Sequence, residues 1–330
     1  MITEIVDLLT ERVFPLVTLA ARTAIIPALR GKGVKVVSQG ADFGEIVTEM
    51  DMSASDIILN GLRADLPGSF SEEDDSPERT RVLELWQVDP CDGTGDAVKT
   101  ANSDRVVGPT MLVSLLRRSS ITAPFRPVGA LIYDVLGEYG VVSDGKTLLL
   151  GKPCSGGEWV RVLHRTHRSV GVTVSIPKRI SYPQNHAHNF FPDFMRWMGF
   201  LPTLNQVEVG GAGDQALRLV RASIAPVDPS DVPAFARLRP VDAVFNAQPD
   251  WKTWDLDPLQ VIAEALNYSW TSDIYGQPLR ANACANAPAG MHHTTGCVIT
   301  RWRSLSETLV TMARKYEEAY GDGSLLTKNY

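Results

Sequence analysis

The decisive stretch of this sequence is Trp86-Gln87-Val88-Asp89-Pro90-Cys91-Asp92-Gly93-Thr94-Gly95-Asp96. Leu85, Trp86 and Val88 have the apolar pattern of the end of a buried strand. We therefore expect Asp89 and Asp92 to emerge together where this strand becomes a turn. Two carboxylates at one corner repel each other unless a positive charge lies between them.

The oxygen atoms of this segment suit a hard divalent cation such as magnesium, which often shares its coordination shell with substrate phosphate. Gly93 has no side chain to block close approach, so the amides of Gly93 and Thr94 could hold a phosphate oxygen. The same residue types are also the commonest in surface turns. The segment by itself leaves both interpretations open, a metal site and a solvated turn.

The composition is that of a globular protein, since 44% of the 330 residues are hydrophobic and 21% are charged. A net charge of −6 without a Lys/Arg-rich run argues against a nucleic acid polymer as partner. The four cysteines lie far apart without metal-ligand spacing, which indicates reduced thiols.

The amino terminus is acidic and lacks the basic start of a secretion signal. The apolar stretch 13–29 is interrupted by Pro15, Arg22 and Pro27, which favours a core helix over a membrane span. We therefore expect a cytoplasmic protein with no membrane partner.

The first half of the chain has the pattern of an α+β structure. Residues 5–20 have helical hydrophobic spacing, and a second helix is predicted from about Ser53, because Asp56 follows it at capping-box distance. Strands are predicted at 111–116, 128–133 and 139–142. Together with the strand before Asp89 they indicate a mostly antiparallel sheet.

The second half has the pattern of an α/β structure. A Gly/Pro/Ser-rich patch at 151–157 predicts a boundary between a domain of residues 1–152 and a domain of residues 153–330. Beyond it, helical and strand patterns alternate. Predicted strands lie near 170–176, 207–209 and 241–245, and predicted helices lie at 190–198, 214–222 and 257–266. Residues 227–240 are proline-rich and look like an inserted loop.

Four separated segments resemble, in order and approximate spacing, the lithium-sensitive, magnesium-dependent phosphatases related to inositol monophosphatase. They are 47–51, Glu72-Glu73, 89–94 and Trp254-Asp255. Residues 209–213, 244–255 and 271–276 look most like 3′(2′),5′-bisphosphate nucleotidases, with inositol polyphosphate 1-phosphatases close behind. The resemblance covers most of the chain. It implies a layered αβαβα sandwich, the sugar-phosphatase-like fold, with an α+β amino-terminal half and an α/β carboxyl-terminal half.

The resemblance also implies a role for each group of residues. Two or three magnesium ions would be held by Glu72, Asp89, the carbonyl of Cys91, Asp92 and Asp255. The catalytic pair would be Asp51 and Thr94, which together orient the attacking water. The substrate would be contacted by Gly93, Thr94, Asn185, His188, Gly211, Ala212, Gly213 and Gln215.

The implied activity is hydrolysis of a phosphate monoester of a small metabolite by metal-activated water, inhibited by lithium, in a monomer or homodimer. The implied substrate is a 3′(2′),5′-bisphosphate nucleotide or an inositol (poly)phosphate. Fructose 1,6-bisphosphate and inositol monophosphate are alternatives. Gln215 occupies a position where the nucleotidases carry a lysine, and Asp257 adds a carboxylate where small residues are usual.

Two other interpretations stay open. Haloacid-dehalogenase-like phosphatases also have an Asp-Gly-Thr signature, but one residue separates their aspartates, whereas two residues separate Asp89 from Asp92. The second is a non-catalytic descendant of the fold that binds a phosphorylated ligand. The presence of every implied metal ligand and of the Asp51/Thr94 pair counts against it.

Overall fold

The structure is a computed structural model that describes residues 2–31, 34–39, 46–65, 68–72, 82–94, 109–123, 125–151, 158–162, 172–177, 204–209, 211–224, 235, 238–246, 251–271, 292–293 and 297–320. Residues 2–30 form one helical run, α1. Its α-helical segments are Ile2–Leu8, Phe14–Ala20 and Ile26–Arg30, and the π-helical turns between them are Leu9–Val13 and Ala21–Ile25. Pro15 and Pro27 are each the second residue of the α-helical segment that follows one of these π-helical turns. A proline ring crowds the carbonyl four residues earlier, so a wider turn there keeps the helix continuous.

By length and composition alone, the part of α1 from Ile5 to Arg30 is long and apolar enough to cross a membrane. Half of its most apolar 18-residue segment is buried inside the protein, however. Phe14 on this helix packs edge-to-face against Tyr133 and Trp159, with ring centroids 5.6 and 4.9 Å away. These are the contacts of a core helix that covers a sheet.

The first strands and the second helix are β1 (Val36–Gln39), β2 (Ile46–Thr48) and α2 (Glu49–Asp65). Helix α2 begins at Glu49, so the start predicted near Ser53 is wrong. An earlier cap determines the start: the Thr48 amide donates to Asp51 Oδ2 at 2.7 Å, and the Thr48 hydroxyl donates to the same oxygen. This junction fixes the position of Asp51.

The first large sheet has seven strands: β3 (Ser69–Ser71), β4 (Glu84–Asp92), β5 (Thr110–Arg117), β6 (Arg126–Asp134), β7 (Tyr139–Ser143), β8 (Leu148–Gly151) and β9 (Trp159–Arg161). They lie in chain order across the sheet; β3 and β4 are parallel and the other neighbours are antiparallel. The strands predicted at 111–116, 128–133 and 139–142 are confirmed. Strand β9 lies beyond residue 152, and the domain division at that residue stays a prediction.

The remaining strands are β10 (Val172–Pro177), β11 (Leu204–Val209), β12 (Ala243–Asn246), β13 (Trp251–Lys252), β14 (Ser269–Thr271), β15 (His292–His293) and β16 (Cys297–Thr300). Five of them form a mixed sheet in the order β11-β10-β12-β16-β14, with its first three strands parallel. The helices of this half are α3 (Ala212–Ser223), α4 (Thr253–Ala265) and α5 (Arg303–Tyr320). The helix predicted at 214–222 is confirmed, the one predicted at 257–266 begins earlier, at Thr253, and the one predicted at 190–198 lies outside the described residues.

Helices and sheets alternate in five layers. One hydrophobic core lies between α1, α2 and one face of the seven-stranded sheet, where Leu9 packs in the same cluster as Val113. A second core joins the opposite face of that sheet to α3, α4 and the five-stranded sheet, with Leu112, Leu259 and Val244 in one cluster. Helix α5 packs on β14 and β16. The layered αβαβα sandwich is thus confirmed.

Candidate active site

The end of β4 presents two carboxylates at one corner of the seven-stranded sheet. Asp89 pairs with Leu112 and Asp92 with Thr110, and the register shifts between these two pairs, as at a β-bulge. Within the bulge, the Cys91 amide donates to Asp89 Oδ1 at 2.9 Å. The bulge therefore lets both aspartates face the same region, which a regular strand would not allow at this spacing.

Asp255 completes a group of three carboxylates. It lies in the first turn of α4, and one carboxylate oxygen from each of Asp89, Asp92 and Asp255 lies within 4.8 Å of the others. The helix predicted to begin at Asp257 begins at Thr253 instead, which places Asp255 inside its first turn. The fold thus brings together acids from β4 and α4, which are distant in the sequence.

Burial and neighbouring carboxylates raise the pKa values of Asp89 and Asp255. Burial raises the pKa of Asp89 well above its ordinary value, and the negative charges of Glu72, Asp92 and Asp255 raise it further. The pKa of Asp255 is also raised well above the ordinary value, by burial, Asp92 and Glu72, while Lys252 opposes the shift. A divalent cation would relieve this repulsion, and carboxylate oxygens are the ligands that magnesium prefers. The residues present therefore fit the metal that the sequence resemblance implies.

Asp92 also caps helix α3. Its Oδ2 accepts hydrogen bonds from the Gly213 amide and the Thr110 hydroxyl, both at 2.8 Å. Burial raises the pKa of Asp92 to about 6, although these hydrogen bonds lower it. Gly211 precedes the helix, and a Cβ built on it would lie 1.6 Å from Asp92 Oδ1. Only glycine leaves room there for the carboxylate.

Buried Asp51 and half-buried Thr94 form a pair beside the three carboxylates. Thr94 Oγ1 lies 2.8 Å from Asp51 Oδ1 and 2.5 Å from the carbonyl oxygen of Cys91, so its single proton can be donated to either. Burial raises the pKa of Asp51, while the hydrogen bonds from Thr48 and Thr94 lower it. The contact between Asp51 and Thr94 that the resemblance implies is present in the structure.

Glu72 approaches the group from the end of β3 but is paired with a cation. Its amide donates to the carbonyl of Val88 at 3.0 Å, and its Oε1 accepts a hydrogen bond from Lys252 Nζ at 3.0 Å. Sequence reasoning assigned Lys252 no role. The sequence feature that could have indicated a role for Lys252 was its position three residues before Asp255, at the amino terminus of α4.

The residues expected to contact the substrate are only partly described. Asn185 and His188 lie outside the described residues. Gly93 has a φ of +87° and adjoins the start of α3, since a Cβ built on it would lie 3.9 Å from the Gly211 amide nitrogen. The Gly213 amide donates a hydrogen bond to Asp92. Gln215 is fully buried, and neither its side-chain amide nitrogen nor its oxygen has a hydrogen-bond partner among the described residues.

Asp257 lies apart from the three-carboxylate group in the described part of the chain. Its carboxylate is 2% exposed, and its Oδ2 has no hydrogen-bond partner among the described residues. Burial alone raises its pKa to about 8. Asp257 is therefore a neutral, buried carboxylic acid at pH 7.

The sequence matches no protein-family model and no curated protein. Solved structures, in contrast, match almost its whole length. A calcium-bound IMPase family protein from Staphylococcus aureus has 16% identity and a TM-score of 0.61 over 94% of this chain and 95% of that one.

Two further structures agree. An inositol monophosphatase from Zymomonas mobilis has 15% identity and a TM-score of 0.58 over 93% of this chain and 96% of that one. An IMPase/NADP phosphatase complexed with Mg²⁺ and phosphate also has 15% identity and a TM-score of 0.58, over 94% of this chain and 95% of that one. The chain therefore has the fold of the inositol monophosphatases.

Proposed function

We propose that this protein is a magnesium-dependent phosphatase that hydrolyses a phosphate monoester of a small metabolite. The observation that carries the proposal is the convergence of Asp89, Asp92 and Asp255, from two distant elements, within 4.8 Å of one another. The similar solved structure that contains Mg²⁺ and phosphate supports it. Raised pKa values at Asp89 and Asp255 support it as well, because groups tuned in this way are characteristic of functional sites.

Asp89, Asp92, Asp255 and the carbonyl of Cys91 would hold magnesium, with Glu72 at the edge of the centre. When bound, magnesium supplies a positive charge that activates water and stabilises the charge developing on the phosphate. The protein's own contribution is rigidity. Asp92 is fixed by the amide of Gly213, and Asp89 by the amide of Cys91, so neither carboxylate needs to reorganise during the reaction.

Asp51 and Thr94 would position the attacking water. When the Thr94 hydroxyl donates its proton to Asp51, its oxygen lone pairs are left to accept a proton from water. The bond from Thr48 to Asp51 keeps this acceptor in place. Water held in this way would attack phosphorus directly, without a covalent intermediate on the protein.

The substrate class is part of the proposal. We infer a 3′(2′),5′-bisphosphate nucleotide or an inositol (poly)phosphate, with the amides of Gly93 and Thr94 gripping the scissile phosphate. The amide of Gly213 already donates a hydrogen bond to Asp92, so a substrate at this end of α3 would meet the half-buried backbone of Gly211 instead. Fructose 1,6-bisphosphate and inositol monophosphate are the alternatives.

The test is phosphate release from a panel of these four classes of compound, with Mg²⁺, with EDTA, and with Li⁺ added to Mg²⁺. We expect activity that requires Mg²⁺ and is inhibited by Li⁺. Asp255→Asn should lower kcat/KM by more than about 100-fold, because even residues that only support a metal ligand cost 10–100-fold. Asp56→Asn, at an exposed position of α2, is the matched control and should retain full activity.

One further measurement separates this mechanism from that of phosphatases that form an aspartyl phosphate. Beryllium fluoride binds the nucleophilic carboxylate of those phosphatases as a mimic of the aspartyl phosphate, whereas direct attack by water on phosphorus uses no nucleophilic carboxylate. We therefore expect no beryllium fluoride adduct on an aspartate. Trapping of that kind at Asp89 would replace our mechanism with the other one.

A further inference from the structure

Thr110 places a buried hydroxyl group against the carboxylate of Asp92, and sequence reasoning assigned it no role. It is the first residue of β5, is 1% exposed and pairs with Asp92 across the sheet. Its Oγ1 donates a hydrogen bond to Asp92 Oδ2 at 2.8 Å. Because both residues belong to paired strands, the sheet itself fixes the hydroxyl relative to the carboxylate.

Two hydrogen-bond donors from different elements meet at the same oxygen of Asp92. The Thr110 hydroxyl comes from β5, and the Gly213 amide comes from the first turn of α3, also at 2.8 Å. A carboxylate oxygen has two lone pairs, so these two donors engage both lone pairs of Oδ2. Oδ1 is therefore the oxygen that Asp92 can offer to an ion.

Two glycines at the start of α3 leave the space that this arrangement needs. A Cβ built on Gly213 would lie 2.1 Å from Thr110 Oγ1, and a Cβ built on Gly211 would lie 1.6 Å from Asp92 Oδ1. The helix could form with alanine at either position, since Gly213 is helical and Gly211 has an ordinary extended backbone. The close approach of Thr110 and Asp92 to α3 is thus what requires glycine at both positions.

The number of oxygens that Asp92 offers affects which cations fit. Mg²⁺ demands octahedral geometry at about 2.0–2.1 Å, whereas Ca²⁺ takes 6–8 oxygens at about 2.3–2.6 Å and often binds both oxygens of one carboxylate. Oδ2 could join Oδ1 on a Ca²⁺ ion only by giving up a hydrogen bond from Thr110 or Gly213. Such a loss is costly, because a buried donor would be left without an acceptor.

We propose, on the basis of the proposed function, that Thr110 limits Asp92 to one metal-binding oxygen and thereby makes the centre favour Mg²⁺ over Ca²⁺. Thr110 acts through Asp92 and is a positioning residue. Its hydroxyl holds Oδ2 against the start of α3, so the carboxylate cannot turn to present both oxygens to a larger ion. The selectivity therefore depends on a hydrogen bond and not on an additional ligand.

Competition between cations tests this proposal. Full-length wild-type and Thr110→Val proteins are loaded with Mn²⁺, and Mg²⁺ or Ca²⁺ is added until half of the bound Mn²⁺ is released, as followed by electron paramagnetic resonance of free Mn²⁺. Valine keeps the shape of threonine but cannot donate a hydrogen bond, so Oδ2 becomes available to Ca²⁺. The ratio of the half-releasing Mg²⁺ concentration to the half-releasing Ca²⁺ concentration should rise by about tenfold or more, the usual effect of removing a partner of a metal ligand. Because the readout is a ratio, a general loss of affinity or of folded protein cancels from it.

Three further variants complete the test. Thr110→Ser keeps the hydroxyl and should leave the ratio at its wild-type value. Thr110→Ala removes the hydroxyl without adding bulk and should raise the ratio as valine does, which covers the case in which valine does not fit beside Gly213. Ser114→Ala is the matched control: it removes another fully buried hydroxyl from the same face of β5, where Ser114 contacts Gln87 at 3.4 Å, and should leave the ratio unchanged.

The outcomes separate the two proposals. A wild type that binds no Mn²⁺ would refute the proposed metal-dependent function. An unchanged ratio in both Thr110→Val and Thr110→Ala would overturn the role of Thr110 and leave the phosphatase proposal standing. An equal rise in Thr110→Ser or in Ser114→Ala would also overturn it, because the change in selectivity would then not depend on the hydrogen bond to Asp92.

Discussion

Gly211→Ala is the substitution whose effect the structure defines most sharply. Gly211 has a φ of −72° and a ψ of −170°, a conformation that alanine adopts readily, so the backbone itself imposes no strain. The new Cβ, however, would lie 1.6 Å from Asp92 Oδ1 and 2.2 Å from its carboxyl carbon. The Asp92 side chain must therefore leave its position, or α3 must move away from β4.

The magnitude follows from the contacts that Asp92 would lose. Its hydrogen bonds from the Gly213 amide and the Thr110 hydroxyl, both 2.8 Å long, go to a charged acceptor. Such bonds contribute about 1.5–3 kcal/mol each, and partial exposure favours the lower end of that range. Replacing glycine stabilises by about 0.4–1 kcal/mol through the unfolded chain. We expect a net loss of about 2–4 kcal/mol in the free energy of unfolding.

The assay is urea unfolding in EDTA, paired with Mn²⁺ titration of the folded protein. Gly93→Ala is the matched control. Its φ of +87° is unfavourable for alanine and costs about 1–2 kcal/mol, but a Cβ there would make only an ordinary contact, 3.9 Å from the Gly211 amide nitrogen. Both variants lose stability, but only Gly211→Ala should also weaken Mn²⁺ binding, by more than tenfold. A Gly211→Ala protein that loses less than 1 kcal/mol and binds Mn²⁺ normally would refute the reasoning.

Two other predictions concern groups beside the metal centre. The pKa of Asp257 rises from about 3.9 in the unfolded chain to about 8 in the fold, so between these pH values the native state binds a proton that the unfolded state lacks. The free energy of unfolding in EDTA should therefore fall as pH rises from about 4 to about 8. Asp257→Asn should become more stable than the wild type across that pH range, by up to about 5 kcal/mol in urea unfolding at each pH. A stability difference that does not change with pH would contradict the raised pKa of Asp257. Thr94→Val removes the hydroxyl that contacts Asp51 and should lower kcat by about 10²–10⁴-fold with unchanged Mn²⁺ affinity. Thr94→Ser keeps the hydroxyl and should retain most of the activity. Equal losses of activity in the two variants would argue against a role for the hydroxyl.

Local patterns in the sequence predicted most of the elements around the site. The apolar run that ends at Val88 and the turn residues after it indicate a strand that stops at two aspartates, because burial and chain reversal depend on neighbouring residues. The helix that carries Asp255 could be predicted for the same reason, although its pattern placed the start at Asp257 and not at Thr253. The start of α2 could not, because the cap formed by Thr48 and Asp51 competes with the pattern at Ser53.

The long-range contacts of the site have no local signal. The sequence does not show that Asp92 caps α3, because that contact depends on how β4 packs beside a helix far along the chain. The need for glycine at 211 follows from the same contact and from no turn requirement. The ion pair between Lys252 and Glu72 likewise requires β3 and α4 to meet. Each of these contacts joins residues that are far apart in the sequence, so it can be identified only once the packing of the strands and helices is known.

The central claim is that acids from β4 and α4 hold a divalent cation. The most direct measurement is anomalous diffraction from a crystal of the protein soaked in Mn²⁺, recorded at the manganese absorption edge. The account predicts an anomalous peak within about 2.5 Å of carboxylate oxygens of Asp89, Asp92 and Asp255. A protein with no peak at these three residues, or with Asp255 turned away from the end of β4, would contradict it.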